Sequence, residues 1–224
     1  EQTAVQRSLA SVCGRLPDAE GRAAQVLHAL TAATPRERIL LLRTLGRIGG
    51  SKALAAIMPQ TQSADPDMRD AAVRALADWP TLDAFDPLLG TAKSKEKLNL
   101  RVLALRGCVR IVENASLSDA TAVRYHERTL AAAERSEEKR LVLGALGSLR
   151  RAEALRLVLP YLDDDTLGVD AAAAARKIAS GWSETESGKG AADVARIFVE
   201  SRVSSRIRPQ VVAAFDAQVR KNDP

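Results

Sequence analysis

Apolar residues in this chain recur at helical spacing, and the helical stretches themselves recur. Met68, Ala72, Val73 and Leu76 fall at i, i+4, i+5 and i+8, which places them on one stripe of a helix. Taking Leu76 as a landmark, its counterparts are Leu45, Cys108, Leu146 and Ile178, separated by steps of 31, 32, 38 and 32 residues. A second set keeps the same register. Ala53, Leu54, Ile57 and Met58 answer Ala84, Phe85, Leu88 and Leu89, which answer Ala154, Leu155, Val158 and Leu159. The one long step exceeds its neighbours by 38 − 32 = 6 residues, and the surplus is expected in NASLSDATA, as a longer connection after Glu113. Two landmarks in one register indicate a repeat protein.

Each repeat reads as a helical hairpin. In the repeat that opens at Asp65, an Asp stands at the N-cap, Pro66 at the first helical position and Asp67 in the first turn, all suited to the unpaired amides at a helix start. Trp79-Pro80 ends that helix, because the residue before proline is driven out of the α region. A second helix from Thr81 to about Lys93 carries Phe85, Leu88 and Leu89 inward, and Pro87 is expected to bend it or to leave its first turn irregular. Similar hairpins span Pro35 to Gln62, turning at Gly49-Gly50, and Ser136 to Leu162, turning near Arg150-Arg151. A further repeat opens at Leu167 and closes with a helix from about Lys189 to Ser201, and Arg7-Ser8-Leu9 marks an earlier one. Hairpins of this size bury their apolar faces only against one another. The expected fold is therefore all-α: a right-handed α-solenoid of about six stacked hairpins forming a single repeat domain over 1–224. Its best-defined repeats lie at 35–182, and a C-terminal capping helix is expected at 205–222.

Composition agrees. Among 224 residues there are 40 Ala and 28 Leu but 3% aromatic residues, which favours helices and leaves little for a sheet to pack. No stretch approaches a membrane span, and two His with two Cys in no ligand spacing argue against a bound metal or cofactor. The net charge of +5 is carried mainly by 25 Arg, and the surplus lies before Val112, where 16 basic residues face 11 acidic ones. The compartment stays open between the cytoplasm and an exported or periplasmic location.

DPDMRDAAVRALADW, with TPRERILLLRTLGRIGG and SEEKRLVLGALGSLRR in the same register, resembles the short bacterial HEAT repeats, armadillo-like units whose relatives include the repeats attached to phycobilin lyases. The resemblance implies an interaction scaffold. It is specific for architecture and nearly silent on activity.

No catalytic constellation emerges. His28 and His126 read as packed or surface histidines, Cys108 as a small core residue, and Asp163-Asp164-Asp165 as the acidic start of a helix. GSKAL and SGKGA lack the full spacing of a phosphate loop. Arg43, Arg74, Arg106 and Arg176 each precede a landmark by two residues and so face water as a ladder interrupted at Gly144, with Asp70 positioned to pair with Arg74. Lys97, Arg101, Arg106 and Arg110 form the densest basic stretch and the first candidate for partner contact. Trp79 and Asp83 resemble the pair used by HEAT-like DNA glycosylases for alkylated purines, which would make the chain an enzyme, although the pair straddles a turn. The leading expectation is a monomeric, non-enzymatic scaffold that binds a protein or a neighbouring domain of a longer chain. A nucleic-acid binder is the competing class, and the scarcity of aromatic residues to stack on bases counts against it.

Overall fold

Ten α-helices account for most of the computed structural model, which describes residues 18–94 and 97–180; no strand occurs among them. The chain divides after Ala115 into two compact units. The first contains α1 (Ala19–Ala32), α2 (Pro35–Ile48), α3 (Ser51–Ile57), α4 (Pro66–Ala77), α5 (Phe85–Ala92) and α6 (Leu98–Asn114). The second contains α7 (Asp119–Ala132), α8 (Ser136–Leu146), α9 (Ala152–Val158) and α10 (Gly168–Ser180). Both are helical-hairpin stacks. In the first unit α2, α4 and α6 pack side by side as one layer, with α1, α3 and α5 behind them. In the second, α8 packs on α10 and α7 on α9.

Local chemistry sets the helix ends. Thr34 and Glu37 form a reciprocal capping box on α2, and the Asp65 carboxylate accepts the Asp67 amide at the start of α4. Gly49 and Gly50 turn the first hairpin at φ of 77° and 98°, a region that side-chain-bearing residues avoid. Pro59 and Pro160, at the same register position three repeats apart, each stand in a short 3-10 turn (Met58–Gln62 and Leu159–Tyr161) that ends a second helix. At Pro87 the expected irregularity takes a definite form. A 3-10 turn at Leu82–Ala84 lets α5 begin at Phe85, so the proline falls in the first turn, where its missing amide hydrogen has no partner to lose.

The landmark register holds in both units: Leu45, Leu76, Cys108, Leu146 and Ile178 are fully buried. In the second set Met58 departs, being 38% exposed where Leu89 and Leu159 are buried. Where α2 meets α4 and α4 meets α6 in the first unit, and where the end of α8 meets α10 in the second, the backbones approach so closely that a glycine stands at the contact. A Cβ on Gly46 would stand 2.3 Å from the Ala75 carbonyl oxygen, one on Gly107 2.9 Å from the Ala77 Cα, and one on Gly147 3.0 Å from the Ala174 Cα.

Polar staples about one repeat long add to these contacts. Glu20 accepts the amide and hydroxyl of Ser51, which hold its carboxyl below the usual range, and Asp119 accepts the Arg150 amide 31 residues away. Arg140 pairs with Asp170 at 2.7 Å.

The six surplus residues do not make a longer connection after Glu113. The link from α6 to α7 is 115–118, whereas α6 runs 17 residues against 12 in α4 and 11 in α8, and α7 runs 14 against 8 in α5 and 7 in α9. The insertion lengthened helices, since NASLSDATA supplies a Ser118 N-cap and an Asp119 first-turn acid that start α7 early. The expected elements at 7–9, 189–201 and 205–222, together with Cys13 and the SGKGA segment, lie outside the described residues.

Candidate functional site

The basic stretch on α6 does not form one patch. At about 100° per residue, Lys97 and Arg101 lie within about 40° of each other, and Arg106 and Arg110 project from the opposite side. Two of the four are also committed to the fold. Arg110 donates to the Ala77 carbonyl at 2.8 Å and to the Trp79 carbonyl at 2.7 Å, and Arg101 donates to the Ala92 carbonyl at 3.1 Å. Each guanidinium thereby closes the C-terminal end of a preceding helix, where carbonyls lack partners and the helix dipole favours a cation. Arg38 does the same at Ala33, and Arg69 at Ser63 and Ala64. Lys97 and Arg106 remain exposed.

The arginine ladder behaves as a solvated face. Arg74, Arg106 and Arg176 are exposed and Arg43 is half-buried. Arg74 holds Asp70 through two nitrogens, the i, i+4 pair expected from the sequence. Trp79 is fully buried; its indole N–H donates to Thr81 Oγ1 at 3.1 Å, and the Thr81 hydroxyl donates to Asp83 at 3.0 Å. The ring seals the hairpin end beside Gly49 and has no face for a base to stack on, so the geometry the glycosylase resemblance requires is missing at this pair. Cys108 is buried with its thiol 3.8 Å from the Phe85 carbonyl, His28 is exposed, and His126 is buried. Asp164 accepts the amides of Thr166 and Leu167, which hold its carboxyl low and account for the acidic run ahead of α10. The start of α3 in GSKAL is taken by Glu20, not left open for a phosphate. No cluster of His, Cys, Asp and Glu suited to a metal occurs among the described residues.

What sequence reasoning passed over is a groove of about 510 Å³ on the second-helix side of the first unit. Met58, Thr61 and Gln62 line it from the 3-10 turn, Pro87, Gly90, Thr91 and Ser94 from α5 and its C-terminal end, and Val73 and Leu100 from α4 and α6. The elements that carry it are nearly free of charge: SKALAAIMPQTQ holds only Lys52, and LDAFDPLLGTA only Asp83 and Asp86. On the first layer, by contrast, α2 alone carries Arg36, Glu37, Arg38, Arg43 and Arg47. The signal was present in the sequence as this segregation of charge between alternate helices.

Residues 23–107 are similar to HEAT repeats. The match runs from α1 into α6 and takes in every residue that lines the groove. No curated protein matches the sequence. An engineered protein of known crystal structure is similar over 90% of this chain at 18% identity and a TM-score of 0.45, and the chain spans 58% of its length. HEAT repeats are in general protein-interaction scaffolds and are typically non-enzymatic. No described helix is long and apolar enough to cross a membrane.

Proposed function

We propose that this chain is a non-enzymatic scaffold that binds another protein, with the second-helix groove of the first unit as the contact surface. The observation that carries the reading is the coincidence of the two: the segment that matches HEAT repeats is the segment that builds an open, nearly uncharged groove. Met58 supports it, since a large apolar side chain stands 38% exposed on that face. Lys97, exposed at the N-cap of α6 three residues before the liner Leu100, stays a candidate contact, whereas Arg101 and Arg110 serve the fold. Arg106 stays a candidate contact on another side of α6.

The test is affinity capture with wild-type and Met58→Glu baits, read by quantitative mass spectrometry, beside titration of the protein with labelled duplex and single-stranded DNA at low salt. A partner lost from the variant bait is the expected result. A partner retained equally by both baits would move the contact to another face. DNA binding that falls steeply with salt would replace the scaffold reading by the nucleic-acid one.

A further inference from the structure

The glycines fall into two groups. Gly46, Gly107 and Gly147 sit where a side chain would collide with a neighbouring helix. Gly90 and Gly144 have no such reason to be glycine, since a Cβ at either would meet nothing within 4 Å, and of the two it is Gly90 that lines the groove. Its φ is not positive, so it is not a left-handed helix stop, and α5 continues past it to Ala92. In the same register the first and fourth repeats have Pro59 and Pro160, which end their helices in 3-10 turns. A glycine inside a helix is less stable than alanine, and that cost has no return within the chain. What the missing side chain leaves is room, and Gly90 lines the groove.

The groove's polar atoms indicate what passes there. Thr61 donates its hydroxyl to the Met58 carbonyl, Thr91 to the Pro87 carbonyl and Ser94 to the Thr91 carbonyl, so these oxygens turn lone pairs outward, and the Gln62 amide offers both donor and acceptor. A peptide in extended form has unpaired N–H and C=O groups to meet them, whereas a helix has spent its own. Lys93 directly precedes the liner Ser94, and Lys97 stands three residues before the liner Leu100. Both lysines are exposed.

Resting on the scaffold reading above, we infer that the groove takes an extended peptide segment of a partner protein. Its backbone crosses Gly90, an apolar side chain lodges between Met58, Pro87 and Leu100, and an acidic residue reaches Lys93 and Lys97.

The experiment is a random peptide library displayed on phage and panned on the purified full chain, followed by titration of a synthetic consensus peptide. Enriched peptides are expected to share an apolar residue close to an Asp or Glu. Gly90→Trp fills the groove from a position with space for it, and is expected to weaken the peptide by about tenfold or more while leaving the melting temperature unchanged or raised. Met58→Asp serves as a second block, and Lys93→Glu with Lys97→Glu is expected to abolish the acidic preference. Equal binding to Gly90→Trp and wild type, or a consensus with no acidic position that ignores the lysine reversal, overturns the inference. So does failure to enrich any peptide. If affinity capture still recovers a partner in those cases, the scaffold reading survives and only this assignment falls.

Discussion

Arg110 and Arg106 sit four residues apart on one helix and differ in kind. Arg110 gives two charge-assisted hydrogen bonds to the carbonyl end of α4, while Arg106 is exposed. Arg110→Met removes both bonds and leaves the Ala77 and Trp79 carbonyls short of partners. A loss of about 1.5–3 kcal/mol is expected in urea unfolding, against less than about half a kcal/mol for Arg106→Met. Equal effects would show that the carbonyl contacts contribute nothing. None of this was legible in the sequence, which shows a basic stretch but not that the end of another helix lies one repeat behind it. His126 was more legible, because the register puts it in the place of Ile57 and Val158. It is 1% exposed, its Nδ1 has no hydrogen-bond partner, and burial pushes its pKa down to about 4. The unfolded chain therefore binds a proton near pH 6.5 that the folded one refuses until about pH 4. Stability from the neutral ring is full above pH 6.5 and drains as the pH falls towards 4, by about 3 kcal/mol in all. His126→Leu is expected to flatten that part of the pH profile, and a variant profile parallel to wild type between pH 7 and 4.5 would contradict it.

At the scale of elements, what the sequence could say followed from how directly each signal is local. The cap at Asp65, the Gly49-Gly50 turn and the buried landmarks depend on neighbours within a few residues and were read correctly. The surplus residues after Glu113 were misplaced because a length difference says only that residues were added, and here a good N-cap turned them into helix. Glycines were the least legible, since whether one marks a turn, a close crossing or an open surface is decided by residues about thirty positions away. Alanine substitution separates the last two. Gly46→Ala forces a Cβ into the backbone of α4, 2.6 Å from the Ala75 Cα, and is expected to destabilise by about 1–3 kcal/mol. Gly90→Ala meets empty space and is expected to stabilise by about 0.5–1 kcal/mol. Thermal melts of the two variants should move in opposite directions. A destabilising Gly90→Ala would mean that the glycine serves the fold, and the case for a ligand above it would go.

At the scale of the molecule, the basic excess takes on a different meaning from the one its numbers suggest. It lies before Val112 and so inside the first unit, where Arg38, Arg69, Arg101 and Arg110 are bound to carbonyls at the ends of preceding segments and Arg74 to Asp70. Arginine suits that task because its fork of donors is always charged and reaches two acceptors at once. Part of that charge thus serves to tie the start of one hairpin to the end of the one before it. Every one of these contacts, and the whole groove, is closed within residues before Ser116. Stability in such repeats is close to a sum over each repeat and its neighbours. A fragment of residues 1–115 should therefore retain a helical circular-dichroism spectrum, melt cooperatively and lose about the same free energy on Arg110→Met as the full chain. If the fragment is unfolded, or if Arg110→Met is silent in it, the first unit depends on the rest of the chain for its fold.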